Sequence, residues 1–232
     1  MPALTPARRY GAEFLDDPTI SEVLVLRSLH DVARSNTVFL GAAAVVAELG
    51  GVFGELRGDA TLLDVGTGLG DIPRKAAHAA ERRGVRLRTV GLDTECVLVR
   101  HASQYVTHGV CGDARHLPFA DRSIDVVTCS QVLHHFRGDD ARALLREMNR
   151  VARHAVVVSD VRRSWLAAAG FWVASWPLRF HRITRHDGVL SVLRGFTPDE
   201  LADTVDDALH VRPAVRRRMG FRVTTRWTPV PV

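Results

Sequence analysis

The residues best equipped for chemistry lie in one run, Asp64-Val65-Gly66-Thr67-Gly68-Leu69-Gly70-Asp71. Glycines at alternate positions let a backbone turn tightly and approach a ligand, because no Cβ stands in the way. The run follows the apolar segment Thr61-Leu62-Leu63 and precedes KAAHAAERR, whose pattern reads as a helix. A helix beginning there would offer N–H groups and the positive end of its dipole. Spacing chooses among ligands. A dinucleotide fingerprint wants G-x-G-x-x-G, whereas these glycines fall at 66, 68 and 70 and position 71 is an aspartate. That carboxylate would oppose a pyrophosphate and suits a ligand carrying an amine or a sulfonium. A turn with no ligand is the alternative reading.

Two more acids follow at junctions. Asp93 ends Val90-Gly91-Leu92-Asp93, where a carboxylate can accept hydrogen bonds from both hydroxyls of a ribose or simply cap a helix. Asp113, in Cys111-Gly112-Asp113-Ala114, could accept from an adenine amine or close a turn. Histidines supply candidate bases, since imidazole titrates near neutrality. His134 and His135 follow the apolar run IDVVTCS, and one of them is expected to face a ligand while the other packs. His186 stands beside Asp187, a pairing that would raise its basicity if the side chains meet, although Asp187-Gly188 also reads as a turn. His181 lies near by as a further substrate contact, and Arg34, Ser35 and Asn36 are candidates to close the site from the N-terminal side.

Short apolar runs alternating with amphipathic segments would position these residues. TLLDV, LRTVGLD, a short strand before CGDA, IDVVTCS and AVVVSDV read as strands, separated by helices through KAAHAAERR, ECVLVRHASQ and DDARALLREMNRVA. Such alternation implies βαβ units and a mostly parallel sheet. Residues 1–58 read as a helical N-terminal cap, with the catalytic domain spanning 59–232. After Asp160 the alternation lapses, and residues 161–196 read as an insertion rich in aromatics: Trp165, Phe171, Trp172, Trp176 and Phe180. A lid over an apolar substrate is the preferred reading, with Trp165, Trp172 and Trp176 against the substrate; an extra core helix or an interfacial helix over 165–180 on an anionic membrane are the alternatives. Thr197 and Pro198 open another helix. The tail VRRRMGFRVTTRWTPV reads as a hairpin turning at Met219–Gly220, with Arg216-Arg217-Arg218 on a charged edge.

Taken together, LLDVGTGLGD, VGLD, CGDA and LPFADRSIDVVTCSQVLHHF resemble the class I S-adenosylmethionine-dependent methyltransferases, in particular the type 11 small-molecule group that includes ubiquinone and menaquinone methyltransferases. The likeness runs from Thr61 to about Asp160. It implies a Rossmann-like α/β fold with a seven-stranded sheet, six strands parallel and the last antiparallel, which agrees with the hairpin. It also implies S-adenosylmethionine as cofactor. Asp64, Gly66, Gly68 and Gly70, with Thr67, would line the methionine part. Asp93 with Thr94 would meet the ribose, Asp113 and Ala114 the adenine, and Ser130 and Gln131 would floor the pocket. The segment RHDGVLSVLRGFTPDEL is similar to a bacterial subfamily of tailoring enzymes for polyketide or phenolic products. The expected activity is therefore methylation, at oxygen, of a small apolar or aromatic molecule in secondary metabolism. His135, His186 and His134 are the candidate bases. C-methylation of a quinone precursor is the alternative within the class; an NAD-dependent oxidoreductase and a non-catalytic binding protein are alternatives outside it.

Composition narrows the rest. The 232 residues carry 31 basic and 26 acidic side chains, a net charge of +5, with 46% hydrophobic residues. Disorder on any large scale is excluded. Lys75 is the sole lysine, so the basic excess is arginine and reads as compositional bias rather than a phosphate-binding stripe. No N/D-P-P-Y signature or catalytic Pro-Cys dipeptide is present, and no nucleic-acid partner is expected. Cys96, Cys111 and Cys129 form no CxxC pair and leave an odd thiol, so neither a disulfide framework nor a metal site is expected. No secretory leader is read in MPALTPARRYGAEFLDDP, and the apolar run WLAAAGFWVASWPL falls short of the roughly 20 residues that span a bilayer. The expectation is a cytoplasmic, reduced protein.

Overall fold

The computed structural model describes residues 5–17 and 19–231. Seven strands form one sheet in the order β3-β2-β1-β4-β5-β7-β6. β1 (Gly58–Val65), β2 (Val85–Asp93), β3 (His108–Cys111), β4 (Ile124–Ser130) and β5 (Ala152–Val161) pair in parallel, while β7 (Arg222–Trp227) is antiparallel to both β5 and β6 (Val215–Arg218). Six strands thus share one direction and the last opposes them. This is the Rossmann-like arrangement expected from the alternation and the terminal hairpin.

The strands read as unbroken apolar runs because both sheet faces are covered. Side chains alternate across the pleat. Leu62, Val126 and Val157 face a core shared with α2 (Gly41–Phe53) and α3 (Asp71–Glu81), whereas Leu63, Val127 and Val156 face α5 (Gly138–Val151) and α8 (Pro198–Leu209). α8 opens as the sequence indicates, with Thr197 and Glu200 in a reciprocal capping box and Pro198 in the first turn. α2 belongs to the sheet's own covering layer, since Leu49, Val52 and Phe53 are buried with Leu62 and Ala76. Its buried Glu48 binds Arg216, Arg218 and Thr224, which fastens α2 to the terminal hairpin. Two of the three tail arginines therefore serve as structural ties.

Between β5 and α8 the chain builds a helical hairpin, α6 (Trp165–Ser175) and α7 (Arg182–Arg194), with a small core of Val161, Ala167, Ala168, Val192 and Leu193. α1 (Glu22–Val38) lies beside it: Asp31 accepts from the His181 backbone N–H and the Thr184 hydroxyl. The N-terminal segment crosses α7, where Asp187 accepts the backbone N–H groups of Phe14 and Leu15. α4 (Cys96–Ala102) packs against β2 and β3. Among the described residues no single helix is long and apolar enough to cross a membrane.

The cysteines correct an expectation. Cys96 and Cys111 form a disulfide, and Cys129 alone is a buried free thiol. Pairing of β2 with β3 sets Asp93 opposite Cys111, and α4 starts three residues after Asp93. Residues 15 apart in sequence are thereby neighbours across a strand end, a proximity that motif spacing does not express.

Candidate active site

Strand order reverses between β1 and β4, the position at which open α/β sheets leave a crevice beyond their carboxyl ends. A cavity of about 570 Å³ lies there. Its sheet-side wall is the glycine loop. Gly66, Gly68 and Gly70 all have left-handed φ, +72°, +52° and +76°, and a Cβ at Gly66 would meet Val132 at 2.4 Å. Only glycine holds this turn without strain. The loop is tied to the next strand: the Gly66 and Thr67 N–H groups donate to the Leu92 carbonyl at 2.8 and 3.0 Å, and the Gly68 N–H donates to Asp93 Oδ2 at 2.9 Å.

Three carboxyls converge on this wall. Burial pushes Asp64 up to about 8, with Asp71 and Asp93 adding repulsion. Burial also raises Asp71 and Asp93, against hydrogen bonds from Asn36 and from the Gly68 and Glu95 N–H groups respectively. Crowded, desolvated acids with no full set of cationic partners fit a positively charged ligand, and the glycine cradle leaves room for its backbone-side approach.

The opposite wall is mostly apolar: Leu15, Leu29, Val32, Phe39, Phe171 and Phe221 come from the N-terminal segment, α1, α6 and the β6–β7 turn. The two walls meet at His134, which is 2% exposed. Asp160, at the end of β5, holds it twice, through His134 Nδ1 at 2.7 Å and the His134 backbone N–H at 3.1 Å. With Nδ1–H donating to the carboxylate, Nε2 is left as an acceptor. Nε2 is buried and, among the described residues, makes no hydrogen bond. Burial pushes the Asp160 carboxyl up, but His134 and the Val161 N–H outweigh it and leave it below its ordinary value.

The known proteins similar to this chain bear on what such a cavity serves. A family described as a methyltransferase domain matches residues 63–158. A demethylmenaquinone methyltransferase of Thermotoga maritima is 35% identical over 94 residues, 40% of this chain and 38% of that protein. The core of this chain, residues 63–158, is thus similar to methyltransferase domains of the S-adenosylmethionine-dependent kind. The chain spans under two fifths of the length of the curated relatives it matches. Solved structures share the fold over more of the chain. Magnesium protoporphyrin IX methyltransferase from Synechocystis superposes with a TM-score of 0.54 at 17% identity, covering 92% of this chain and 90% of its own. A methyltransferase from Aquifex aeolicus gives 0.52 at 17%, covering 93% and 95%.

Most residues expected at the cofactor line the cavity: Asp64, Gly66, Thr67, Gly68, Asp93, Thr94, Ala114, Ser130 and Gln131. Gly70 instead caps α3, turned toward Ala102 and Tyr105. Asp113 also departs from its expected place. Its carboxylate is bound by the Arg115 side chain and backbone N–H, which hold it at about 2, and it does not line the cavity; Gly112 and Ala114 do. Of the two readings of Asp113, the turn-closing one matches this geometry.

Both members of the histidine pair line the cavity, their rings 4.3 Å apart. Glu13, His134 and His135 bring one oxygen and two nitrogens within 4.8 Å of one another, a spacing seen in metal sites. Arg194 already supplies a positive charge there, with Nη1 2.9 Å from Glu13 and 3.1 Å from His135 Nδ1. His186 Nδ1 and Asp187 Oδ1 do meet, at 2.8 Å, although neighbours on a helix such as α7 do not ordinarily face each other. His186 is half exposed and packs against Phe14 in a tilted contact outside the cavity, while Asp187 lines it. His181 caps α7, accepting from the Ile183 N–H. Trp165, Trp172 and Trp176 are 42%, 50% and 55% exposed and none lines the cavity, so the insertion covers the site with Leu166, Ala167, Gly170 and Phe171. Ser35 and Asn36 line the cavity; Arg34 lies over the Phe180 ring.

Three residues escaped the sequence reading. Asp160 stood at a strand end with nothing to mark its partner. Glu13 had no neighbouring motif. Arg222 follows a turn, and its side chain reaches the cavity only through the antiparallel pairing of Arg222 with Val161.

Proposed function

We propose that this protein transfers a methyl group from S-adenosylmethionine to a hydroxyl of a small, largely apolar or aromatic molecule. The observation that carries the reading is the unpartnered, buried Nε2 of His134, held by Asp160 at the meeting of the acidic wall and the apolar wall. Bound on the glycine loop, the cofactor supplies an electrophilic methyl on a sulfonium that departs as a neutral thioether. Asp64 and Asp71 hold the charged methionine portion, Asp93 and Thr94 the ribose, and Ala114 the adenine. His134 Nε2 takes the hydroxyl proton as the acceptor oxygen becomes a nucleophile, and Asp160 stabilises the resulting imidazolium. Phe39, Phe171 and Phe221 exclude water and hold the acceptor in line, the positioning that an in-line displacement needs. The 161–196 insertion is the cover, and the segment around Glu13 and Leu15 together with α1 completes the wall. Tailoring of a phenolic or polyketide product in the cytoplasm, as a step of secondary metabolism, fits this pocket.

The test is incubation with methyl-labelled S-adenosylmethionine and a panel of catechols, naphthols and hydroxyquinones, followed by mass spectrometry of the product. Label on oxygen supports the reading. The similarity to a demethylmenaquinone methyltransferase favours a second outcome, label on ring carbon of a demethylated quinol. Binding of S-adenosylmethionine without turnover of any acceptor would sink both.

A further inference from the structure

Arg222 is 4% exposed, lines the cavity and, among the described residues, pairs with no carboxylate. Burial pushes its guanidinium down to about 10, with Asp160 the nearest compensating charge. Asp160 is already committed, since its two oxygens accept from His134 Nδ1, the His134 N–H and the Val161 N–H. The Arg222 contact that orients it is neutral: Nη1 donates to Gln131 Oε1 at 2.7 Å. Nε is buried and has no hydrogen-bond partner among the described residues. A buried cation without a counter-charge costs several kcal/mol and persists only where something repays it.

Among the described residues no carboxylate reaches Arg222 at ion-pair distance, although Asp160 lies near and the acidic wall lines the same cavity. Gly41, at the start of α2, lies so close that a Cβ there would come within 3.1 Å of Arg222 Nη2. The α2 N-terminus has no side-chain cap, its N-cap being Leu40. A guanidinium and an uncapped helix N-terminus side by side are both stabilised by negative charge. We infer that Arg222 receives an anionic oxygen, a carboxylate or phenolate, of a molecule bound in this cavity. The acceptor would then be an acidic aromatic or apolar molecule rather than a neutral one, and the planar fork of arginine suits a carboxylate in particular. The cofactor's methionine carboxylate carries the same chemistry. That the cavity is an acceptor site rests on the methyltransferase reading; that it prefers an anion does not.

Two ligand pairs measured by calorimetry distinguish the sources. 1-Naphthoate and 1-naphthamide, titrated into protein saturated with S-adenosylhomocysteine, report on the acceptor side. S-adenosylhomocysteine and its decarboxylated analogue, titrated into free protein, report on the cofactor side. At least one carboxylate should bind about tenfold tighter than the partner that lacks it, and Arg222→Met should erase that preference while Arg222→Lys keeps part of it. A preference in the first pair assigns Arg222 to the acceptor, and in the second to the cofactor. If neither pair shows a preference in the wild-type protein, or if the preference survives in Arg222→Met, the inference is overturned. The wild-type comparison decides even if Arg222→Met fails to fold. Failure of S-adenosylhomocysteine to bind would sink the methyltransferase reading instead, leaving a naphthoate preference in the free protein as the test of Arg222.

Discussion

The two walls of the cavity are built by different means. The wall beneath the glycine loop is set by backbone: left-handed glycines, strand ends and N–H groups, fixed by the register of β1, β2 and β4, carry its three carboxyls. The opposite wall is side chains from the N-terminal segment, α1, the α6–α7 hairpin and β7, brought together by tertiary contacts. A wall made of backbone is set by topology and resists change. A wall made of side chains can be rebuilt by substitution without touching the sheet, so a single scaffold can hold one cofactor and accept many molecules.

Substitutions at the seam should separate the walls most strongly. His134→Ala or Asp160→Asn is expected to lower turnover by about 10²–10⁴ while S-adenosylhomocysteine affinity, read by calorimetry, stays within about twofold if the walls are independent. Equal losses in binding and turnover would show that His134 belongs to the cofactor wall instead. Next in size is the Cys96–Cys111 bridge at the edge of the cofactor wall. Reduction, or Cys111→Ser, should cost about 3 kcal/mol for a loop of 15 residues, seen as a lower thermal midpoint. It should weaken adenosine-containing ligands through Thr94 and Gly112 and leave naphthoate binding unaltered.

Acidity offers a third separation. The folded pKa of Asp64, about 8, lies above its ordinary value, so its contribution to stability is full at low pH and is lost as pH rises toward 8. A cationic ligand reverses that sign by favouring the carboxylate. Affinity for S-adenosylmethionine relative to neutral-sulfur S-adenosylhomocysteine should therefore rise with pH, by up to about tenfold per unit below pH 8. A flat ratio would remove Asp64 from the cation's surroundings. The smallest effect is expected at the tryptophans. Trp172→Ala, on an exposed face of α6, should change stability by less than about 0.5 kcal/mol and leave KM unaltered. A large rise in KM would place it at the substrate after all.

The same contrast explains what could be read from the chain beforehand. Periodicity and glycine spacing are local, so β1, the loop at 66–70 and Asp93 were legible, as was the hairpin at Met219–Gly220. Asp160 and Arg222 act across strand pairings that join residues about 26 and 91 positions from their partners, His134 and Gln131. No local pattern encodes those distances. The tryptophans misled because aromatic content marks a helix that must bury something, without saying which face does so; α6 buries Ala167 and Ala168 and leaves the indoles outside. The disulfide was missed for the same reason as Asp160, being a consequence of register.

A chain of four side chains runs along the cavity: Arg222 donates to Gln131, Gln131 to Asn36, and Asn36 to Asp71. Three of these residues leave the ribosome well before the fourth. A nascent polypeptide therefore carries the glycine loop and most of its sheet while the far wall is still open, and the relay closes only when β7 folds back between β5 and β6. The wall that Arg222 completes is thus the last to be supplied as the chain is made, and a chain interrupted ahead of residue 222 would hold the glycine loop without the residue that ends this relay.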